Sequence, residues 1–149
     1  MNKVIESQIL NRTNYRSIDK EPGTKITEIN LSEEKRLIVT YCPKRAEKDK
    51  YDREKAVAKL KKKLSRSKDP LSLINNYGYK KYLKVEEKKE IRIDKVKLAQ
   101  SALWDGLHGI ITNKKYLSAM QAKEYYHQLW QIEESFRISK HDLRISDNP

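Results

Sequence analysis

The feature that most constrains the fold is an uninterrupted helical segment that runs from Ser118 to Leu143 without proline or glycine. Ser118 and Gln121 have the spacing of a capping box, in which two side chains satisfy the free backbone N–H groups at a helix start. Apolar residues follow at near-helical spacing: Ala122, Tyr126, Leu129, Ile132, Phe136 and Leu143. The segment therefore predicts a long helix with one apolar face.

Signals for strands and helices alternate along the rest of the chain. Strands are expected near 26–41, 79–93 and 107–112, and helices at 44–66 and 95–102. Pro43 ends the second strand of the first group, and Asp94 is placed to cap the shorter helix. Residues 1–24 show no clear period. The pattern indicates an α+β fold.

The helix expected at 44–66 has a thin apolar stripe and many charges. The stripe consists of Tyr51, Val57, Leu60 and Leu64. Asp49 and Arg53 are spaced for a favourable pair one turn apart. The helix should therefore pack on one side and leave a basic side in water. Asp105 and Gly106 indicate a turn before the last strand.

The positive charge is concentrated in the middle of the chain. The net charge is +12, and residues 43–97 hold 20 basic and 9 acidic residues, whereas the segments before and after carry +1 and 0. A concentrated basic field attracts polyanions, so DNA or RNA is the expected partner. A solvated, solubilising face is the alternative that composition leaves open.

Several classes of protein are disfavoured by the sequence. No apolar run is long enough for a membrane span, and the N-terminus lacks the apolar stretch of a secretory signal. The single cysteine, Cys42, excludes an intramolecular disulfide and a cysteine-cluster zinc site. His108, His127 and His141 do not have a recognisable metal-binding spacing. A reducing, cytoplasmic location is therefore expected.

Three residues that could carry chemistry follow one line of the long helix. Tyr126, Glu133 and Lys140 are spaced by seven residues, which is nearly two turns. Glu133 lies beside the apolar stripe, so we expect it at a packed surface with a cation nearby, and Arg137 is one turn away. An ordinary amphipathic helix with an Arg–Glu pair would give the same pattern.

The segment from Tyr126 to Lys140 resembles the C-terminal signature of bacterial insertion-sequence transposases of the DDE type. That signature is Tyr, two residues, Arg, three residues, Glu, six residues, Lys. Leu129 stands where the general pattern has Arg, and the branch with Leu-Trp-x-Ile-Glu-x-x-Phe-Arg-x-x-Lys matches more closely. The stretches from Tyr41 to Glu54 and from Trp104 to Asn113 resemble two further segments of the same branch.

The resemblance implies a partial ribonuclease-H-like catalytic core with an inserted basic subdomain. Residues 1–42 would hold the end of the upstream strands and the start of the insertion, 43–104 the insertion, and 105–149 the re-entry strand and long helix of a truncated core. In the family two Asp and one Glu hold two Mg²⁺ (or Mn²⁺) ions for phosphoryl transfer to DNA. The intact enzyme is also a possible dimer.

Residue roles follow from the same resemblance. Glu133 would be the catalytic, metal-binding Glu, and Tyr126, Arg137 and Lys140 would contact the DNA of the transposon ends. The family's two Asp lie on strands that this sequence does not contain, and Asp105 falls at a turn. We therefore expect a transposase fragment that binds DNA, is inactive alone and exposes the apolar stripe of its long helix.

Two other functions remain open at this point. The chain could be a standalone basic nucleic-acid-binding module without catalysis, or an α+β interaction protein whose lysines only solubilise it. As a transposase fragment it would reside in the bacterial cytoplasm, associated with the nucleoid. Cations that contact phosphates would make binding salt-dependent, which separates the interaction protein from the other two.

Overall fold

The structure is a computed structural model that describes the backbone of residues 2–75, 81–87 and 90–142, with all side chains in these ranges except 74, 75 and 139–142. The elements, in chain order, are α1 (Lys3–Leu10), β1 (Arg16–Ser17), β2 (Lys25–Asn30), β3 (Arg36–Tyr41), α2 (Pro43–Arg66), β4 (Leu83–Val85), β5 (Ile91–Ile93), α3 (Lys95–Ala102), β6 (Leu107–Thr112) and α4 (Ala119–Asp142). Short 3-10 helices lie at Arg12–Asn14 and Pro70–Asn75. The predicted α+β class is confirmed.

The chain divides into two compact units, one formed by residues 1–40 with 108–149 and the other by 41–107. The insertion expected from the sequence spans 43–104. Whether the first unit is part of a ribonuclease-H-like core stays a prediction. Among the described residues, every helix is too short or too polar to cross a membrane.

The first unit is built on a four-stranded sheet with the order β1-β2-β3-β6. β1 runs antiparallel to β2, with Arg16 opposite Ile26. The strands predicted near 26–41 and 107–112 are confirmed. Their buried residues form a cluster with the first turn of α4: Ile18, Ile26, Ile38, Ala119 and Ala122. This cluster is what fixes the start of the long helix.

Helix α1 was not predicted, because residues 1–24 carry no clear apolar period. Asn2 caps the helix through its side chain, which accepts a hydrogen bond from the N–H of Val4 at 2.9 Å. The Tyr15 hydroxyl donates to the carbonyl of Ile9 at 2.7 Å, and burial raises the pKa of Tyr15. Ile9 is buried, and α1 lies against β2. Contacts between separate elements leave no period in the sequence.

The second unit packs α2 against a hairpin and a short helix. β4 and β5 pair antiparallel, as predicted, with Leu83 opposite Ile93. The turn predicted between them includes residues 88 and 89, which lie outside the described residues. Asp94 caps α3 by accepting hydrogen bonds from Val96 and Lys97, which confirms its predicted role. The core cluster centres on Leu60, Tyr82 and Leu83.

Candidate functional site

The start of α4 is fixed by several polar contacts within the first unit. The Ser118 N–H donates to Gln121 Oε1 at 2.9 Å, and the Gln121 N–H donates to Ser118 Oγ at 3.1 Å. The predicted capping box is therefore confirmed. Arg36 donates to the carbonyls of Lys114 (3.1 Å) and Leu117, which ties β3 to the loop before the helix. These contacts determine the direction in which α4 leaves the sheet.

Beyond its first turn, α4 exposes the apolar face that the sequence predicts. Leu129, Ile132 and Phe136 are 65%, 54% and 66% exposed. The expectation that the stripe would be uncovered is therefore confirmed for these three residues, and Leu143, its last predicted member, lies outside the described residues. The first turn differs, because Ala119 and Ala122 pack into the core of the first unit.

Glu133 lies on this uncovered part of α4 and is exposed. The expectation that it lies against a packed surface is therefore wrong. The physical reason is that the described residues bury α4 only at its first turn, so the carboxylate remains in water. An exposed carboxylate is already solvated and needs no compensating cation.

Arg137 does not pair with Glu133, so that expectation is wrong as well. Its Nε donates to Glu134 Oε2 at 3.0 Å, and a second guanidinium nitrogen contacts the other carboxylate oxygen. The planar guanidinium can donate two parallel hydrogen bonds to the two oxygens of one carboxylate. This geometry favours binding to one carboxylate over sharing the guanidinium between two. The hydrogen bond to Glu134 raises the pKa of Arg137.

The other two predicted DNA contacts also lie on α4. Tyr126 is partly exposed and its ring lies 5.2 Å from the ring of His108, centroid to centroid, on β6. Lys140 is within the helix, but its side chain lies outside the described residues. The backbone separates each of Tyr126, Glu133 and Lys140 from the next by about 10 Å along the helix axis.

The described residues do not fit the two-metal site that the family resemblance implies. Among them, no group of three or more His, Cys, Asp or Glu side chains is placed to hold a metal ion. Glu133 has Glu134 as its neighbour in sequence, but successive side chains of a helix point about 100° apart and Glu134 is paired with Arg137. No chemical step through a metal ion can be derived from this arrangement.

The two segments upstream of α4 that resemble transposases meet in the second unit. Arg53 Nη1 and Nη2 donate to the two carboxylate oxygens of Asp105 at 2.5 and 2.7 Å, with side chains 12% and 17% exposed. The hydrogen bond that Arg53 donates to Asp105 raises the pKa of Arg53. The predicted pair of Asp49 with Arg53 is therefore wrong, because Asp105 competes for the guanidinium with better geometry.

Asp49 instead accepts a hydrogen bond from the Gly106 N–H at 2.9 Å. Gly106 has φ +79°, and a Cβ there would lie 2.8 Å from the carbonyl oxygen of Cys42. The predicted turn at Asp105 and Gly106 is thus confirmed, and only glycine fits its second position. Asp49, Arg53 and Asp105 therefore hold the first half of α2 to the turn. Their spacing in the sequence did not predict these contacts.

The second half of α2 carries the basic surface. Between Lys55 and Lys68 the sequence has seven basic residues and no acid. Lys59, Lys62 and Arg66 are exposed and make no ion pair within the part of the chain that is described. They line a groove of about 390 Å³ together with Lys63, Ser67 and Leu73. We call this surface, formed by Lys59, Lys62, Lys63 and Arg66, the cationic face.

The first half of α2 is different, because most of its cations are paired with acids. Lys48 lies 3.4 Å from Asp52, and Lys50 lies 3.9 Å from Glu54. The predicted apolar stripe is confirmed at Leu60, which is fully buried, but Tyr51 is 62% exposed and does not belong to it. The exposed cations without an acidic partner are therefore concentrated in the C-terminal half of the helix.

Comparisons with models of protein families, with curated proteins and with solved structures find no match to this chain.

Proposed function

We propose that the chain binds DNA through the cationic face of α2 and is part of a DDE-type transposase. The observation that carries the proposal is the set of exposed cations without acidic partners: Lys59, Lys62 and Arg66. A cation that already has a carboxylate partner must exchange it to bind phosphate, whereas these side chains are available. Each phosphate contact releases a condensed counterion, which makes such binding favourable at low salt.

The spacing of the cationic face suits a phosphate backbone. Lys59, Lys62, Lys63 and Arg66 follow one side of the helix and span about 10 Å along its axis. Among the residues whose side chains the structure describes, no aromatic side chain, on which the bases of single strands could stack, lines this groove. The face therefore favours contact with phosphates over recognition of bases, and binding with little sequence preference.

The transposase assignment rests on the family resemblance of three segments, two of which meet at the Arg53–Asp105 pair. The order of a strand at Leu107–Thr112 and a long helix at Ala119–Asp142 agrees with the re-entry strand and helix of a partial ribonuclease-H-like core. In that assignment Glu133 is the metal-binding Glu, and the Mg²⁺ or Mn²⁺ ions belong to the intact enzyme. Among the described residues no group of three or more His, Cys, Asp or Glu side chains is placed to hold a metal ion, so we expect the chain to be inactive by itself.

A second candidate is a standalone nucleic-acid-binding module without catalysis. The exposure of Glu133, without a cluster of acids in the described residues, favours this candidate. Both candidates bind DNA through the same face of α2. Their difference lies in whether Glu133 serves a reaction in a larger assembly.

Fluorescence anisotropy with a labelled DNA duplex tests the binding. Lys59→Gln with Lys62→Gln removes two unpaired cations, and Lys48→Gln with Lys50→Gln removes two paired cations from the same helix. We expect the slope of log affinity against log salt to fall by about 2 in the first variant and by less than about 0.5 in the second. Equal slopes in the two variants would contradict the proposed face.

A plasmid-nicking assay separates the two candidates. The chain alone, with Mg²⁺ or Mn²⁺, should give no nicking of a plasmid that carries terminal repeats. Nicking that Glu133→Ala abolishes would show a competent catalytic site and would overturn the statement that the chain is inactive by itself. If a polypeptide with the missing Asp residues restores nicking that depends on Glu133, the transposase assignment is supported over the standalone module.

A further inference from the structure

An exposed aromatic side chain on α2 has no role in the phosphate contacts described above. Tyr51 is 62% exposed, and its side chain makes no hydrogen bond or ring contact with another described residue. It lies outside the groove of the cationic face. Leu60, the buried residue of the helix, is nine residues away, which is two and a half turns, so Tyr51 lies on the opposite side. The ring is therefore in water, on the side of α2 that faces away from Leu60.

Three cations follow Tyr51 along the same side of the helix. They are Lys55, Lys62 and Arg66, four, eleven and fifteen residues further along the chain. A rotation of about 100° per residue places all three within about 60° of the direction of Tyr51. All are exposed, and none makes an ion pair within the described residues. Lys55 is one turn, about 6 Å, from Tyr51 along the axis, so unpaired positive charge extends from the cationic face to the ring.

The net charge of α2 changes close to Tyr51. Residues 44–54 carry five basic and four acidic residues, whereas residues 55–66 carry six basic and no acidic residues. The acids nearest to the ring in sequence, Asp52 and Glu54, are in ion pairs with lysines. A phosphate is therefore attracted to the Lys55 side of the ring and much less to its other side. The surface at Tyr51 itself suits an uncharged part of a nucleic acid, which is a base.

We propose that Tyr51 stacks on an unpaired base of DNA whose phosphates are held by the cationic face. The inference rests on the proposed function and adds the class of DNA, which is a duplex with a single-stranded extension. A single exposed aromatic residue is common on protein surfaces, but an aromatic ring in line with phosphate-binding cations is the arrangement that binds single strands. In a duplex the faces of the bases are covered by their neighbours, whereas an unpaired base can turn toward a side chain. Every base has such a face, so stacking agrees with the low sequence preference expected of the cationic face.

Fluorescence anisotropy with two labelled DNAs that have equal numbers of phosphates tests the inference. One DNA is a blunt duplex and the other is a duplex with a single-stranded extension. Tyr51→Leu removes the ring and should weaken binding to the extended DNA at least about fivefold, while binding to the blunt duplex changes by less than about twofold. Tyr51→Phe keeps the ring and should bind both DNAs as the unmodified chain does.

Tyr125→Leu is the matched control for loss of an exposed tyrosine from a helix. Tyr125 is 55% exposed on α4, and no basic residue lies three or four positions from it in the sequence. This variant should bind both DNAs as the unmodified chain does. Circular dichroism checks that Tyr51→Leu is folded, which its exposure leads us to expect. An equal loss of affinity for the two DNAs in Tyr51→Leu, or no loss for the extended DNA, would overturn the proposal.

A fluorescent base in the extension reports the stacking directly. One unpaired base is replaced by 2-aminopurine, whose emission is quenched when an aromatic ring stacks on it. At saturating chain concentration the emission should be lower with the unmodified chain and with Tyr51→Phe than with Tyr51→Leu. Equal emission in the three complexes would show that the ring does not stack on the base, and the inference would be wrong.

The variant with Lys59→Gln and Lys62→Gln separates this inference from the proposed function. Both DNAs offer phosphates, so this variant should bind each of them more weakly than the unmodified chain does. If the two lysines matter for both DNAs and Tyr51 matters for neither, DNA binding by the cationic face stands and stacking on Tyr51 is wrong. If the two lysines matter for neither DNA, the proposed function is wrong, and so is the inference that rests on it.

Discussion

The two long helices of this protein have the same length and opposite environments. Each has 24 residues, α2 from Pro43 to Arg66 and α4 from Ala119 to Asp142. α2 is rich in lysine, yet it buries Leu60 completely, while α4 has more apolar side chains and leaves most of them exposed. The more hydrophobic helix is thus the less buried one.

This comparison shows that an amphipathic pattern does not by itself determine burial. α2 packs against residues of the hairpin β4–β5 and of α3, which surround Leu60 with other apolar groups. For α4 the described residues bury side chains only at the first turn, where Ala119 and Ala122 meet the sheet, and further along His108 contacts Tyr126 without burying it. The hydrophobic effect rewards burial only where another part of the fold provides the opposing surface.

The comparison is tested most strongly by one substitution made in each helix. Leu60→Ala should lower the free energy of unfolding by about 3 kcal/mol, because it removes a fully buried side chain and leaves a cavity. Leu129→Ala removes a side chain that is 65% exposed and should change the free energy of unfolding by less than about 0.5 kcal/mol. Urea unfolding followed by circular dichroism, at low protein concentration, measures both. Similar losses in the two variants would mean that α4 is covered in solution.

The Arg53–Asp105 pair that holds α2 to its turn should have the next largest effect. Asp105→Ala leaves the mostly buried guanidinium without its partner and should destabilise the chain by about 2–3 kcal/mol. Asp52→Ala breaks the exposed pair with Lys48 on the same helix and should change stability by less than about 0.5 kcal/mol. If urea midpoints shifted equally in the two variants, Arg53 would not depend on Asp105.

The capping box at the start of α4 should have the smallest effect of the three. Ser118→Ala removes the side chain that accepts the Gln121 N–H and should lower stability by about 1 kcal/mol. Ser135→Ala, in the middle of the same helix, should be neutral or slightly stabilising because alanine favours the helix interior. Thermal unfolding followed at a helix-sensitive wavelength measures the difference. No difference between the two serines would mean that the first turn is held by its buried alanines alone.

Most elements of the fold were predictable because their signals are local. Ser118 with Gln121, Asp94 and Pro43 act on backbone groups within a few residues, so their effect is visible in the sequence. Helix α1 was missed because its apolar residues follow no simple period. The pair of Arg53 with Asp105 was missed because the two residues lie 52 positions apart, and Asp49 offered a local partner that the sequence could not exclude.

In the candidate site, too, the local features were predictable and the side-chain partners were not. The concentration of positive charge was visible in the sequence, but which lysines of α2 are left without acidic partners follows from the ones the helix places beside acids. Glu133 and Arg137 were correctly placed on one helix, yet the pairing of Arg137 with Glu134 depends on side-chain geometry. Side-chain partners are chosen by small differences in distance and orientation that spacing does not specify.

Apart from α1 and β1, the sequence by itself determined where the helices and strands form, where the helices begin, and where positive charge collects, because these properties depend on near neighbours in the chain. Only the tertiary structure decided that Leu60 is enclosed, that Asp105 takes Arg53 from Asp49, and that the side chain of Glu133 lies in water. Those outcomes depend on which distant segments come together. The free energy of burial depends on both surfaces that meet, and the sequence of one segment does not show which other segment will cover it.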